Sequence, residues 1–218
     1  MPQLFPSSAN TVTYAVFGTV LLGTAALIWA AVEITLSPYF TRVNVPIGQP
    51  VPFSHMHHVE GLGIDCRYCH TSVEVASSAG IPSTETCMTC HSQVWKDAPV
   101  LQPVRDSFMT GKALEWRRVH NLPGFVYFDH SIHVKKGVSC MDCHGRIDEM
   151  PLVSKQHTLF MKWCLDCHRH PESALVPPAA VFQMPAPPPR EARSISRWMA
   201  EQNPRTRTII TDCTACHR

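Results

Sequence analysis

The sequence predicts a mostly α-helical chain with extensive loop, set behind one N-terminal transmembrane helix. Three observations carry this expectation. The first 32 residues hold no charged side chain. All ten cysteines fall in five runs of a single form, Cys-x-x-Cys-His. The chain also contains 19 prolines and little strand patterning.

The apolar stretch Thr11 to Val32 has about the 20-residue length that a bilayer span requires. Tyr14 and Trp29 stand near its two ends, where interfacial aromatics are expected. Residues 1–36 are therefore expected to be a membrane anchor. The stretch lacks the basic n-region of a cleaved signal peptide, so the anchor is expected to be retained. Arg42 follows the span and no basic residue precedes it, so the positive-inside rule does not orient it. Residues 37–52 hold Pro38, Pro46, Pro50 and Pro52 and are expected to form an extended linker. A formal charge of +2, without blocks of like charge, argues against nucleic acid as a partner.

The five runs are Cys66-Cys69-His70, Cys87-Cys90-His91, Cys140-Cys143-His144, Cys164-Cys167-His168 and Cys213-Cys216-His217. This is the pattern of c-type haem attachment. Two thiols bond to the two vinyl groups on one edge of a porphyrin, and a two-residue gap lets one turn of chain span that edge. The histidine that follows reaches the iron. Zinc sites and redox disulfides also use Cys-x-x-Cys, but neither needs a histidine at the same offset after each pair. Five covalently attached haems c are therefore expected. Cytochrome c assembly takes place on the outer side of the bacterial cytoplasmic membrane, so the haem domain is expected on the periplasmic face.

That domain, 53–218, contains a repeat. Phe53-Ser54-His55-Met56-His57-His58 precedes the first run and Phe128-Asp129-His130-Ser131-Ile132-His133 the third. Both read Phe-x-His-x-x-His, 13 and 12 residues ahead of the first cysteine, and each unit is followed by a second run. The expected organisation is two two-haem modules, 53–100 and 120–171. A polyproline-like connector over 172–190 and a fifth haem in 191–218 follow. Short helices are expected around 107–118 and 191–202.

Histidines three apart share a helical face. His55, His58, His130 and His133 are thus expected as sixth ligands, each unit serving two haems. His120 is expected as the fifth such ligand, with Met150 or Met161 as methionine alternatives. His157 and His170 are expected as solvent or propionate partners, and His57 beside a ligand rather than on an iron.

Four segments together resemble a known family: PIGQPVPFSHMHHVEGLGIDCRYCH, TSVEVASSAGIPSTETCMTCH, VHNLPGFVYFDHSIHVKKGVSCMDCHG and MKWCLDCHRHPE. The likeness covers Pro46 to Arg218. It is to the pentahaem cytochrome c subunit of bacterial alternative complex III, a quinol-oxidising respiratory assembly. The Phe-x-His-x-x-His device also resembles that of small class III multihaem cytochromes. The resemblance implies a class III-like multihaem cytochrome c with a fifth C-terminal haem. It would relay electrons and have no small-molecule substrate of its own. The implied partners are an integral quinol-oxidising subunit, an iron–sulfur protein and a monohaem cytochrome c, with a soluble carrier or oxidase beyond. The alternative is a stand-alone membrane-anchored multihaem quinol dehydrogenase. A nitrite reductase is disfavoured by the absence of a Cys-x-x-Cys-Lys run, and a soluble shuttle by the anchor.

Overall fold

The computed structural model describes residues 4–171, 174–185 and 209–217. The chain divides into two compact units, residues 1–42 and 43–218.

In the first unit, helix α1 (Ala9–Leu36) runs for 28 residues. At 1.5 Å per residue it is about 42 Å long, more than the roughly 30 Å hydrocarbon core of a bilayer. None of its residues is buried, although its surface is apolar all round. It is long and apolar enough to cross a membrane. Thr19 and Thr24 donate their hydroxyls to the carbonyls of Ala15 and Val20 at 2.8 Å. These polar groups are thereby satisfied within the helix, as lipid demands. Pro38 ends α1, because a residue before proline is driven out of helical conformation. Ser37 is accordingly extended, at ψ 157°. The chain then makes one more turn, α2 (Pro38–Thr41), at the start of a stretch expected to be extended throughout.

The second unit is built from short helices and loops. Among the described residues, bridges between extended segments are isolated pairs such as Val138 with Leu175. Each Cys-x-x-Cys run occupies a helical turn: α3 (Cys66–Cys69), α4 (Thr84–His91), α7 (Cys140–His144), α8 (Met161–Arg169) and α9 (Cys213–Cys216). Three of these turns are started by the residue just before the first cysteine. Asp65, Ser139 and Asp212 accept from the backbone N–H two residues on, at 2.8, 3.3 and 2.9 Å. Such caps hold turns too short to be stable alone.

The helix expected over 107–118 lies earlier, as α5 (Gln102–Thr110). Pro103 suits its first turn, and Gly111, left-handed at φ 68°, closes it. The helix expected over 191–202 lies outside the described residues. Of the expected connector, residues 174–185 are described, and they pack inward. Val176, Ala180 and Val181 form a buried cluster against Val134, Cys140 and Phe182. Their side chains are apolar, so packing outweighs the extended tendency of the prolines between them. A second cluster, Val51, Leu101 and Val104, lies against Cys87 and Met88. Each apolar cluster therefore abuts an attachment run.

The two repeat units are stitched together. His130 and Ser131 donate their backbone N–H groups to the carbonyls of Ser77 and Ala76, both at 3.2 Å, and Met56 donates to Met150 at 3.1 Å. Helix α6 (His130–Lys135) carries the second histidine pair; of the first, His58 lies in a π-helical turn, Met56–Gly61, and His55 caps its start.

Gly137 turns the chain from α6 toward Val138, with φ 86°. A Cβ there would lie 2.5 Å from the Val176 carbonyl oxygen. The left-handed conformation alone costs an L-residue about 1–2 kcal/mol, so Gly137→Ala is expected to lose about 2 kcal/mol or more. Chemical unfolding of the holoprotein, followed by near-UV circular dichroism, checks this.

Candidate metal centres

The histidine of each run is aimed by its own ring nitrogen. His70 Nδ1 pairs with the Gly80 carbonyl at 2.7 Å and His91 Nδ1 with Val94 at 3.0 Å. His168 Nδ1 pairs with Ile210 at 2.7 Å and His217 Nδ1 with Phe125 at 3.2 Å. A carbonyl can only accept, so each Nδ1 carries the proton. The lone pair is then on Nε2, the form in which a neutral imidazole binds a metal.

The Phe-x-His-x-x-His units build two matching clamps. Phe53 meets His55 edge-on at 4.9 Å between ring centres and stacks on His58 at 4.4 Å. Phe128 meets His130 edge-on at 4.7 Å and stacks on His133 at 4.5 Å. The residue after each phenylalanine does double duty. Ser54 and Asp129 cap the turn with their side chains. Their carbonyls accept from His58 Nδ1 at 2.8 Å and His133 Nδ1 at 2.7 Å. His130 Nδ1 is held by Ser77 at 2.8 Å. These distal rings are therefore oriented just as the motif rings are.

Imidazoles from the units face those of the runs. Ring centres are 6.1 Å apart for His58 and His91, 6.4 Å for His130 and His144, and 6.1 Å for His133 and His168. An imidazole nitrogen lies about 2 Å from the metal it binds and about 1 Å from its own ring centre, so two ligands across one iron have ring centres about 6 Å apart. The three pairs fit that span. His55 neighbours His70; its pKa is pushed down to about 4, chiefly by burial and then by His70 and His58. Burial likewise presses His144 down to about 3, with His120 and His130 adding to it. Both histidines are thus neutral, as ligation requires.

His120, expected as the fifth distal ligand, lies beside His144. Its Nε2 is 3.3 Å from His144 Nδ1. His157 stacks on Trp163 at 5.0 Å, and His57 lies 6.3 Å from Trp95. The ring of His217 lies 5.8 Å from Phe125. Met161 is exposed on the first turn of α8, and Met150 serves the fold through its carbonyl. The partnership of His120 with His144 had no signal in the sequence, because 24 residues separate them.

The runs follow one another in space in an order that differs from the chain. Tyr68 in the first run bonds Thr89 in the second at 2.8 Å, and the Cys69 thiol is raised by burial and then by Cys87. Cys140 is raised to about 11 by burial and then by Cys66, which joins the first run to the third. Cys143 is raised to about 12, by burial first and with Cys167 and Cys164 contributing, which joins the third to the fourth. Cys164 is raised by burial and then by Cys216, which joins the fourth to the fifth. The succession is second, first, third, fourth, fifth.

The donor set suits haem. Paired thiols sit one turn apart, each followed by an oriented imidazole, and opposed imidazoles stand at axial spacing. Among the described residues no three His, Cys, Asp or Glu side chains converge as a zinc cage would require. Residues 126–218 match the family of cytochrome c7 and related cytochrome c. This stretch is a cytochrome c7-like multihaem domain. The chain is also 38% identical over 97 residues to the multihaem cytochrome c subunit of menaquinone reductase from Nitratidesulfovibrio vulgaris. That match covers 44% of this chain and 45% of the relative, so the likeness spans less than half of either protein. The cytochrome c7-like region includes the third, fourth and fifth runs and the second histidine clamp. The family implies covalently bound haem c and electron transfer. The first clamp and the first two runs lie ahead of it, and repeat its local geometry.

Exchange of His133 for Met is expected to leave every thioether attachment intact, since no Cys-x-x-Cys-His run is touched. It should raise one haem midpoint, because Met/His ligation favours the reduced state. Potentiometric titration, with haem-stained electrophoresis to verify attachment, checks this. An unchanged titration would remove His133 from the ligand set.

Proposed function

We propose that this chain is a five-haem electron relay within a membrane respiratory complex, passing electrons from quinol oxidation to a periplasmic cytochrome, carrier or oxidase. The observation that carries the reading is the unbroken succession of the five runs through the second unit. A linear series of redox centres has two ends, and a relay needs an entry and an exit.

A haem supplies reversible one-electron chemistry when bound. This chain's residues supply position and electronic setting. The ten cysteines tether the five groups in order. His70, His91, His144, His168 and His217 bind one face of each iron. His55, His58, His130 and His133 would supply the second imidazole to the haems held by His70, His91, His144 and His168 respectively. His217 completes a fifth centre with a ligand outside these four pairs. An imidazole on each side would keep oxygen and small anions off a bound iron and so limit side reactions.

The proposed partners are an integral quinol-oxidising subunit, an iron–sulfur protein and a monohaem cytochrome c. The relative's role in menaquinone reductase supports a quinone-linked complex, and α1 supports attachment to the membrane. The outer face is proposed from where c-type haems are attached. The same relative's name favours a second reading, in which electrons run inward from a periplasmic donor to menaquinone.

Purification in mild detergent, pyridine haemochrome analysis and rapid mixing with menaquinol test these readings. The expected result is five haems per chain, co-purifying subunits, and fast reduction by menaquinol only in the complex. Reduction of the chain alone would identify a stand-alone quinol dehydrogenase. Oxidation of pre-reduced haems by menaquinone, without reduction by menaquinol, would establish inward flow. Cys213→Ala with Cys216→Ala should lower the haem count from five to four and interrupt delivery at the fifth-run end, while the remaining haems still titrate.

A further inference from the structure

We propose that His120 is a positioning residue for the third haem centre, accepting a hydrogen bond from the far nitrogen of His144 and so lowering that centre's midpoint. The proposal rests on the haem reading above and deepens it at one of its sites.

The geometry is distinctive. Four of the five motif histidines give their Nδ1 proton to a main-chain carbonyl: Gly80, Val94, Ile210 and Phe125. His144 alone among them has a side chain at that nitrogen: its Nδ1 lies 3.3 Å from His120 Nε2. The two rings meet edge to face, with centres 4.4 Å apart at 77°. The His130 ring lies nearly parallel to that of His144, at 10° with centres 6.4 Å apart. His144 thus has His120 at its Nδ1 and the His130 ring at the span that two imidazoles on one iron would have. A ring whose Nε2 accepts from His144 has that lone pair occupied, so His120 is not poised to bind an iron through it.

The consequence follows from hydrogen-bond chemistry. A neutral imidazole nitrogen is a more basic acceptor than an amide carbonyl. A stronger acceptor on Nδ1–H shifts electron density onto the metal-binding Nε2, and groups in this position tune the metal as well as aim the ligand. The more electron-rich ligand favours ferric over ferrous iron. A backbone carbonyl can be altered only by rebuilding the loop that bears it, whereas His120 sets this one centre through a single side chain. The third run is also the middle of the succession, where a change in midpoint alters the steps on both sides.

The test compares His120→Leu, which removes the acceptor, with His120→Gln, which retains an acceptor oxygen on a side chain of similar reach. Both are made in the full-length holoprotein and followed by potentiometric titration and electron paramagnetic resonance. Haem count by mass is measured in parallel, and an unchanged count shows that attachment, and with it the underlying reading, stands. His120→Leu is expected to shift one haem toward the reduced form by about tenfold, or about 59 mV for one electron. That haem should remain low-spin, and His120→Gln should recover most of the shift. A new high-spin signal in His120→Leu would make His120 an axial ligand and overturn the proposal. Unchanged midpoints, or equal shifts in both variants, would overturn it as well.

Discussion

The site depends on one small interaction repeated along the chain: an imidazole N–H held by an oxygen of the main chain. A free histidine side chain rotates about two bonds and presents either nitrogen. With Nδ1 tied to a carbonyl, the ring plane, the tautomer and the direction of Nε2 are all set at once. Of the carbonyls that do this at the motif histidines, those of Gly80, Val94 and Phe125 come from loops and turns, and that of Ile210 from a helix end, where carbonyls are free. Carbonyls inside helices and sheets are already engaged by their own ladders. A fold that must offer many free acceptors to many histidines therefore needs extensive loop, and the scarcity of regular structure in the second unit is a condition of its chemistry.

The repeated clamp shows how little backbone regularity this requires. The first histidine pair rides on a π-helical turn and the second on an α-helix. Even so, the edge-on contacts lie at 87° and 89°, and the stacked contacts at 25° and 26°. The phenylalanine ring provides a flat wall against which one imidazole stacks and the other abuts. The capping residue beside it supplies both the start of the turn and the carbonyl that holds the second ring. Local side-chain packing, more than the pitch of the helix, sets where these nitrogens point.

Much of this was legible in the sequence because it is local. The Cys-x-x-Cys-His runs, the duplicated Phe-x-His-x-x-His units and the apolar N-terminal stretch each lie within a few tens of residues, and each was read with its chemistry. The readings that shifted were those in which distant residues decide. Residues 174–185 look like an extended connector by proline content, yet Val176, Ala180 and Val181 find an apolar surface on Val134 and Cys140. The short helix expected around 107–118 lies at Gln102–Thr110 instead. Pro103 and Gly111 mark its ends. The apolar setting of His120 is legible in the sequence, and burial is its dominant perturbation, lowering its pKa to about 4. Burial does not say which nitrogen faces which neighbour.

By itself the sequence determined the number and spacing of the Cys-x-x-Cys-His runs, the pairing of two histidines at one turn, and the presence of a long apolar helix. Spacing along the chain is sufficient for these, since bond lengths and helical pitch convert it directly into geometry. Only the tertiary structure decided the spatial order of the runs, with the second at one end and the first beside the third, and the placement of His120 behind His144. Those depend on contacts between segments tens of residues apart, such as Tyr68 with Thr89 and His168 with Ile210. Such contacts arise from packing and shared hydrogen bonds once the loops have closed, and no periodicity in the chain encodes them.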